Sequence, residues 1–233
     1  MYKRLALFVL LVVVYRYLIA QSSENQMNFS YLYLGQLRIS DSWSIHTDVQ
    51  EVNYEALNHF SQVIIRVGAN YHLKGGSILT SGIGYVRSVP FDESTLDSAS
   101  DELRLWQDVR LKNTLGRLKV GHRYRFEERW VTNGADTKFS YRTRYHLSFT
   151  IPINHKEIKP GTVSLAIFDE IFINMPDLNL GLNRISGGLG YQLNPTTSLQ
   201  ISYQHSVGNG DISRRIQTGL FWRPDFRKAK KST

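Results

Sequence analysis

Apolar and polar residues alternate with a period of two along nearly the whole chain after residue 27, in segments of about 10 to 15 residues. Successive side chains of a β-strand point to opposite faces, so each such segment is predicted to have one apolar and one polar face. The segment 62–74 shows the pattern, with Ile64 as its exception. Its apolar face carries Val63, Ile65, Val67 and Leu73, and its polar face carries Arg66, Asn70 and His72.

About eleven segments of this kind can be counted. They are 28–39, 42–54, 60–74, 77–89, 102–113, 117–131, 138–153, 161–173, 182–193, 198–207 and 212–222. Short connections mostly alternate with longer ones, the longer ones near 54–60, 90–101, 132–137, 174–181 and 208–211. The pattern predicts an all-β fold, a closed antiparallel up-and-down transmembrane β-barrel of 10–12 strands.

The odd number of segments conflicts with this prediction, because single-chain bacterial barrels have even strand numbers. Either one segment has been split or merged, or residues 21–27 contribute a twelfth strand.

A soluble β-sandwich or lipocalin-like barrel would also alternate, with its apolar face turned inward. Two features favour the membrane alternative. The segments are long, whereas strands of soluble proteins usually have about 5 to 6 residues. Aromatic residues also cluster near the segment ends, as membrane-interface girdles require. They are Tyr31, Tyr33, Trp43, Tyr54, Trp130, Tyr141 and Trp222.

The chain starts with the features of a secretory signal peptide: Lys3 and Arg4, then a short apolar run, then Ala20 before a polar stretch. We therefore predict a signal peptide at 1–20, a barrel at 21–222 and a basic tail at 223–233. A membrane helix is the alternative for residues 1–20, but Arg16 interrupts the apolar run. The chain contains no cysteine, which excludes a lipid anchor on cysteine and disulfide stabilisation.

The formal net charge of +8 does not describe the barrel itself. Three cations lie within 1–20, and the segment after Trp222 holds five cations and one aspartate. The remaining body is therefore close to neutral, and its basic residues are matched by acids. Nucleic acid is excluded as a partner on this ground, because binding it requires a basic face.

Several sequence blocks, in their order and spacing, resemble the domain of unknown function 2490 family of bacterial outer-membrane proteins. The most specific block is G-H-R-Y-R-F-E-E-R-W at 121–130. The others are Y-R-T-R-Y at 141–145, T-I-P-I at 150–153, F-D-E at 168–170, N-R at 183–184 and G-L-G-Y at 188–191. The resemblance implies a barrel in the bacterial outer membrane, surrounded by its lipid and inserted by the barrel-assembly machinery. It implies no established activity. The Ala20-Gln21 junction also looks like that of exported proteins of the Bacteroidetes.

The polar faces of neighbouring segments share a set of charged residues that we take as the candidate site, a lumen charge network. Its members are Arg104, Asp108, Arg110, Arg123, Arg125, Glu127, Arg129, Arg142, Arg144, Glu170 and Arg184. Adjacent antiparallel strands bring such residues within about 5 Å of one another. The structural interpretation is a set of ion pairs that fills a narrow lumen. The functional alternative is an arginine-lined lumen that binds or passes a small anion.

No catalytic residue is predicted. A lipid-modifying barrel enzyme, an acyl hydrolase or transferase, needs a serine and a histidine together on the lipid-facing side. His205-Ser206 lacks the required spacing, while His146 and Ser148 have it but should face the lumen. The histidines share no metal-ligand spacing, and no glycine loop for a phosphate cofactor is present, so no metal or cofactor is expected.

The function predicted from sequence is that of an outer-membrane barrel with a non-enzymatic role, either structural or in the passage of small solutes. A lipid-modifying enzyme is the first alternative. A receptor or adhesin acting through surface loops is the second, although loops such as 90–101 are short for that task.

Overall fold

The computed structural model describes residues 27–91, 99–175, 177–208 and 210–227. Eleven β-strands occupy these ranges. They are β1 (Met27–Arg38), β2 (Trp43–Asn53), β3 (Phe60–His72), β4 (Ile78–Ser88), β5 (Ser100–Leu115), β6 (Leu118–Asn133), β7 (Asp136–Pro152), β8 (Val163–Met175), β9 (Asn179–Asn194), β10 (Thr197–Gly208) and β11 (Asp211–Trp222). No helix in the described ranges is long and apolar enough to cross a membrane.

The strands form a closed barrel in which each strand pairs with its neighbours in sequence. All of these pairs are antiparallel except the closing one, because β1 and β11 run parallel from Met27↔Arg214 to Gly35↔Trp222. The prediction of a wholly antiparallel barrel is therefore wrong at this junction. The reason is geometric: when eleven strands alternate in direction, the first and the last must point the same way. The described part of the barrel closes without a twelfth strand.

The odd number of strands also places the start of β1 and the end of β11 at opposite openings of the barrel. Met27, the start of β1, lies at one opening, which we call the N-terminal mouth. Trp222, the end of β11, lies at the other, the C-terminal mouth. The tight turn at 116–117 is at the C-terminal mouth, and the turn at 134–135 is at the N-terminal mouth.

The predicted alternation of short and long connections is wrong in several places. Long connections were expected near 132–137, 174–181 and 208–211, but the strands extend into these segments and leave only two or three residues between them. Conversely, β7 and β8 are joined by the longer segment 153–162. Turn residues within a strand's last pairs, such as Asn133↔Asp136, conceal where the strand ends.

The polarity of the barrel is the reverse of that of a soluble domain. Among the described residues, six hydrophobic residues are buried, whereas twenty polar or charged residues are. Ile65, Ile83 and Leu103 lie on the outer face and are 48%, 55% and 54% exposed. Asn70, by contrast, lies in the lumen, fully buried and bonded to Ser44 and Thr80. The orientation predicted for 62–74 agrees with this arrangement.

Two apolar residues that break the alternation, Ile64 and Trp106, point into the lumen. Ile64 is 8% exposed, and Trp106 is completely buried. Trp106 lies against Gly68 and Gly82, which are direct partners on β3 and β4. A Cβ atom added at Gly82 would stand 2.7 Å from Cζ2 of Trp106. The two glycines therefore leave the space that the indole ring fills.

The predicted signal peptide at 1–20 lies outside the described residues, so it stays a prediction. Of the predicted tail, residues 223–227 are described, and they follow the rim of the C-terminal mouth. The Arg38 N–H donates to the Pro224 carbonyl at 3.0 Å, and the Phe226 N–H donates to the Arg38 carbonyl at 2.8 Å. Arg227 forms ion pairs with Asp225 and Asp41.

Candidate functional site

The predicted charge network lies in the lumen and is carried mainly by β5, β6 and β7. These strands place a charged side chain on the inner face at every second position, and the register joins Asp108↔Arg125 and Glu127↔Arg142 as direct partners. Glu170 of β8 lies opposite His146 of β7. Direct cross-strand partners are close enough for their side chains to meet, so alternation and register together assemble the network.

Two glutamates form the centre of the network. Glu127 is completely buried, and its carboxylate oxygens lie 2.5 Å from Arg142 Nη2 and 3.0 Å from Arg144 Nη1. Glu170 is 2% exposed and contacts Arg144 at 2.6 Å and Arg123 at 2.5 Å. Arg144 therefore bridges the two carboxylates. Such short, charge-assisted contacts compensate the cost of burying each charge.

Two further carboxylates hold the remaining arginines of β5 and β6. Asp108 contacts Arg125 at 2.5 Å and Arg110 at 2.9 Å. Glu102 is bound by Arg129 through two parallel contacts of 2.5 and 2.9 Å. Arg104 binds Glu102 in the same way, and Arg184 lies 3.9 Å from Glu170. Each of the eight predicted arginines thus has a carboxylate within reach, and each carboxylate serves at least two arginines.

Aromatic rings support the arginines where carboxylates are shared. The guanidinium of Arg125 lies 4.4 Å from the ring centroid of Trp106. The guanidinium of Arg144 lies 4.2 Å from that of Phe172, which is 5% exposed. Cations are attracted to the faces of aromatic rings, most strongly away from water. The lumen therefore stabilises more positive than negative charge.

Sequence reasoning missed four residues of this network. Glu102 was placed at the start of a strand but was not assigned to the network, although it stands two positions before Arg104 and shares its face. Asp48 and Arg66 form a further ion pair at 2.8 Å, on β2 and β3. Trp106 is an apolar residue at a polar-face position of β5, where it breaks the alternation. The period of two was the signal that could have identified all four, had it been followed through the apolar exceptions.

The histidines are distributed over separate pairs. His46 Nε2 lies 2.7 Å from Asp48 Oδ2, and the Ser44 hydroxyl lies 2.7 Å from His72 Nε2. These two pairs share no residue. His205 and Ser206 point to opposite faces of β10, Ser206 being bonded to Arg184. Among the described residues, no group of three or more carboxylate or histidine side chains is arranged to hold a metal ion.

The lumen is filled on one side of the network and open on the other. Towards the N-terminal mouth, Glu102, Arg104 and Glu127 are buried together with Val86 and Val52. Towards the C-terminal mouth, the network borders a cavity of about 390 Å³, which continues into an outer space of about 530 Å³. Its lining residues include Arg110, Lys112, Lys119, Ser148, Thr150, Gln200 and Arg223. The open half is therefore a polar cup whose floor is the ion-pair network.

Comparison with known proteins identifies related sequences. An uncharacterised protein of Methylorubrum extorquens is 27% identical over 173 residues, which cover 71% of this chain and 72% of the relative. The sequence model of a family described as protein of unknown function (DUF2490) matches residues 28–217. This range runs from β1 into β11 and includes every residue of the charge network, so the chain belongs to the DUF2490 family.

Proposed function

We propose that this protein is a bacterial outer-membrane β-barrel with a non-enzymatic, structural role, whose lumen is closed to solutes by the ion-pair network. The observation that carries the proposal is the reversed polarity of the barrel, with twenty polar or charged residues buried and large apolar side chains outside. An apolar outer band around a polar interior suits a barrel surrounded by lipid. Its partners would be outer-membrane lipid and the machinery that inserts such barrels.

Closure of the barrel supports this proposal. In the hydrocarbon layer, each unpaired backbone N–H or C=O costs several kcal/mol, so only helices and closed barrels cross it. Here β1 and β11 pair over the range 27–35, which leaves no open edge in the described sheet. The parallel seam therefore satisfies the same backbone requirement as an antiparallel one, although the eleven strands depart from the even number that single-chain bacterial barrels have.

Aromatic rings near the two ends of the outer face also fit a lipid environment. Trp43 and Tyr71 pack with ring centroids 4.9 Å apart near the C-terminal mouth. Trp130, Phe139 and Tyr141 form a second cluster near the N-terminal mouth, with centroid distances of 5.0 and 4.7 Å. Aromatic residues are enriched at the two interfaces of a membrane.

A structural role is favoured over solute passage because the network blocks the lumen. Trp106 and Glu127 have no exposed surface, and Ser30 on the opposite wall is 1% exposed. A small solute could pass only by separating buried ion pairs. In planar bilayers, the purified protein is therefore expected to give no steady conductance, and a reproducible single-channel current would contradict the closed lumen.

The membrane assignment is tested by placing a charge on each face of the barrel. Ile65→Arg puts a cation on the middle of the outer face, where the cost near a bilayer midplane is about 2–4 kcal/mol. We expect this variant to accumulate poorly in the outer-membrane fraction and to unfold at lower denaturant concentration in lipid vesicles. The matched control is Gln200→Arg, because Gln200 borders the open cavity. Equal behaviour of the two variants, or wild-type protein in the soluble fraction, would overturn the assignment.

A further inference from the structure

We propose that the cup at the C-terminal mouth binds a small soluble anion that carries two or more phosphate or carboxylate groups. This inference goes beyond the proposed structural role. It rests on the barrel's inner surface and does not require the barrel to lie in a membrane.

The first argument is a group of cations without carboxylate partners. Lys112 and Lys119 face the cup from β5 and β6, and Arg223 faces it from the chain just after β11. Within the described ranges, none of the three forms an ion pair. Arg110 lies two residues before Lys112 on the same face of β5, and it shares Asp108 with Arg125. The cup therefore holds more positive charge than its carboxylates balance.

The second argument is that these cations share one recess. Lys112, Lys119 and Arg223 line the outer space, and Arg110, Lys112 and Arg223 line the inner one. Like charges that face the same recess repel one another. A multivalent anion placed between them would turn that repulsion into attraction, whereas a monovalent ion would neutralise only part of it.

The third argument is that the backbone at Arg223 is anchored beside the cup. Its backbone N–H donates to the Thr196 carbonyl at 2.7 Å, and its guanidinium lies 5.9 Å from the ring centroid of Phe221. Pro224 is buried, and its carbonyl accepts a hydrogen bond from the backbone N–H of Arg38. The segment after β11 thus positions a cation across the mouth from the two lysines. A site with preset cations loses less entropy when it binds a ligand.

The cup also has the room and the neutral donors that an anion site needs. The two connected spaces of about 390 and 530 Å³ are in the size range of small-molecule sites. The hydroxyls of Ser148, Thr150, Ser164 and Ser198 line them. Gly121 and Gly190 keep the wall open, since a Cβ there would stand 2.6 Å from Ser148 Oγ and 2.9 Å from Ser164 Oγ, respectively.

The experiment is calorimetric titration of the purified full-length protein in a non-ionic detergent. The probes are pyrophosphate, citrate and, at equal ionic strength, chloride. Saturable binding of pyrophosphate or citrate without saturable binding of chloride is the expected result. Binding of only one of the two probes would identify the group that the cup prefers. Absence of saturable heat for both would overturn the proposal.

The location of the site is tested with two double variants, each of which lacks two cations at one end of the barrel. Lys112→Gln combined with Arg223→Gln should weaken binding of the successful probe by at least about tenfold. The matched control removes Arg87 and Lys138, which are exposed near the N-terminal mouth, and should change binding by less than about twofold. An equal loss of binding in both double variants would show that binding depends only on the net charge of the protein, which would overturn the proposed site. If the cup variant fails to fold, Lys119→Gln alone provides the same comparison.

Discussion

The two halves of the lumen are built from the same strands but use their cations differently. Near the N-terminal mouth, Arg104 and Arg129 share Glu102, and all three are buried or nearly so. Near the C-terminal mouth, Lys112 and Lys119 of the same two strands have no such partner. A carboxylate two positions along the strand decides the difference. A paired arginine becomes part of the packing, whereas an unpaired lysine stays available to solvent and ligands.

The first and largest expected effect tests the filled half. Glu127→Gln removes the charge that Arg142 and Arg144 share, which leaves Arg142 without a counter-charge and Arg144 with Glu170 alone. Breaking a fully buried ion pair costs about 3–5 kcal/mol, so the free energy of unfolding should fall by about that amount. The control is Glu128→Gln, whose side chain points to the outer face. Denaturant unfolding in micelles measures both, and similar losses would show that the network contributes little.

The second prediction concerns Gly68 and Gly82, the two glycines that pack against Trp106. Gly82→Ala would bring a Cβ against the Val67 carbonyl and to 2.7 Å from Trp106 Cζ2. Overpacking of this kind costs about 1–3 kcal/mol, measured as a lower unfolding midpoint. Gly187→Ala is the control, because a Cβ there meets no atom within 4 Å. If both alanines are tolerated equally, Trp106 is not closely packed against Gly82.

The third prediction concerns the open half, where the effect should be small and of opposite sign. Lys112→Gln removes a cation from a group of like charges, so stability should stay the same or rise by up to about 0.5 kcal/mol. The same denaturation assay applies, with Arg129→Gln as the comparison in the filled half. A loss at Lys112 as large as that at Arg129 would remove the distinction between the two halves.

The smallest expected effect lies at the rim of the open half and depends on pH. The hydrogen bond from the Arg227 side chain lowers the pKa of Asp225 to about 2. Because the folded-state pKa lies below the ordinary value of about 3.9, this contact stabilises the fold above that value and is lost as the pH falls through about 2. Asp225→Asn should therefore lower the unfolding midpoint slightly at neutral pH and not at pH 2. An equal difference at both pH values would contradict the assignment.

Much of the fold follows from the period of two, because backbone geometry alone dictates it. All eleven predicted segments overlap the strands of the structure, and the faces assigned to Ile65 and Asn70 are those observed. The eleven segments imply a parallel closure, but the even strand number expected of bacterial barrels led to the prediction of an antiparallel one. The partner residues at the closure could not be predicted from the sequence. Pairing between β1 and β11 joins residues 187 positions apart, for instance Met27↔Arg214, and no local pattern records it.

The charge network was predictable as a set of residues but not as a set of partners. Alternation places Arg123 and Glu170 on inner faces, yet their contact at 2.5 Å spans β6 to β8 across an intervening strand. Such contacts depend on the tilt of the strands and on long side chains. The division into a filled and an open half also depends on Trp106, whose apolar side chain does not follow the alternation and is buried in the lumen.

The parallel seam has a consequence for protein engineering. Strand register elsewhere in the barrel is limited by a connecting segment, but β1 and β11 are joined by none. Circular permutation, which links the original termini and opens the chain elsewhere, usually needs only a short linker. In this barrel a segment that joins the end of β11 to the start of β1 would have to run from one mouth to the other, the full length of a strand, through the lumen or along the outer wall. An insertion sequence or affinity tag placed before β1 and one placed after β11 would likewise emerge on opposite faces of the molecule.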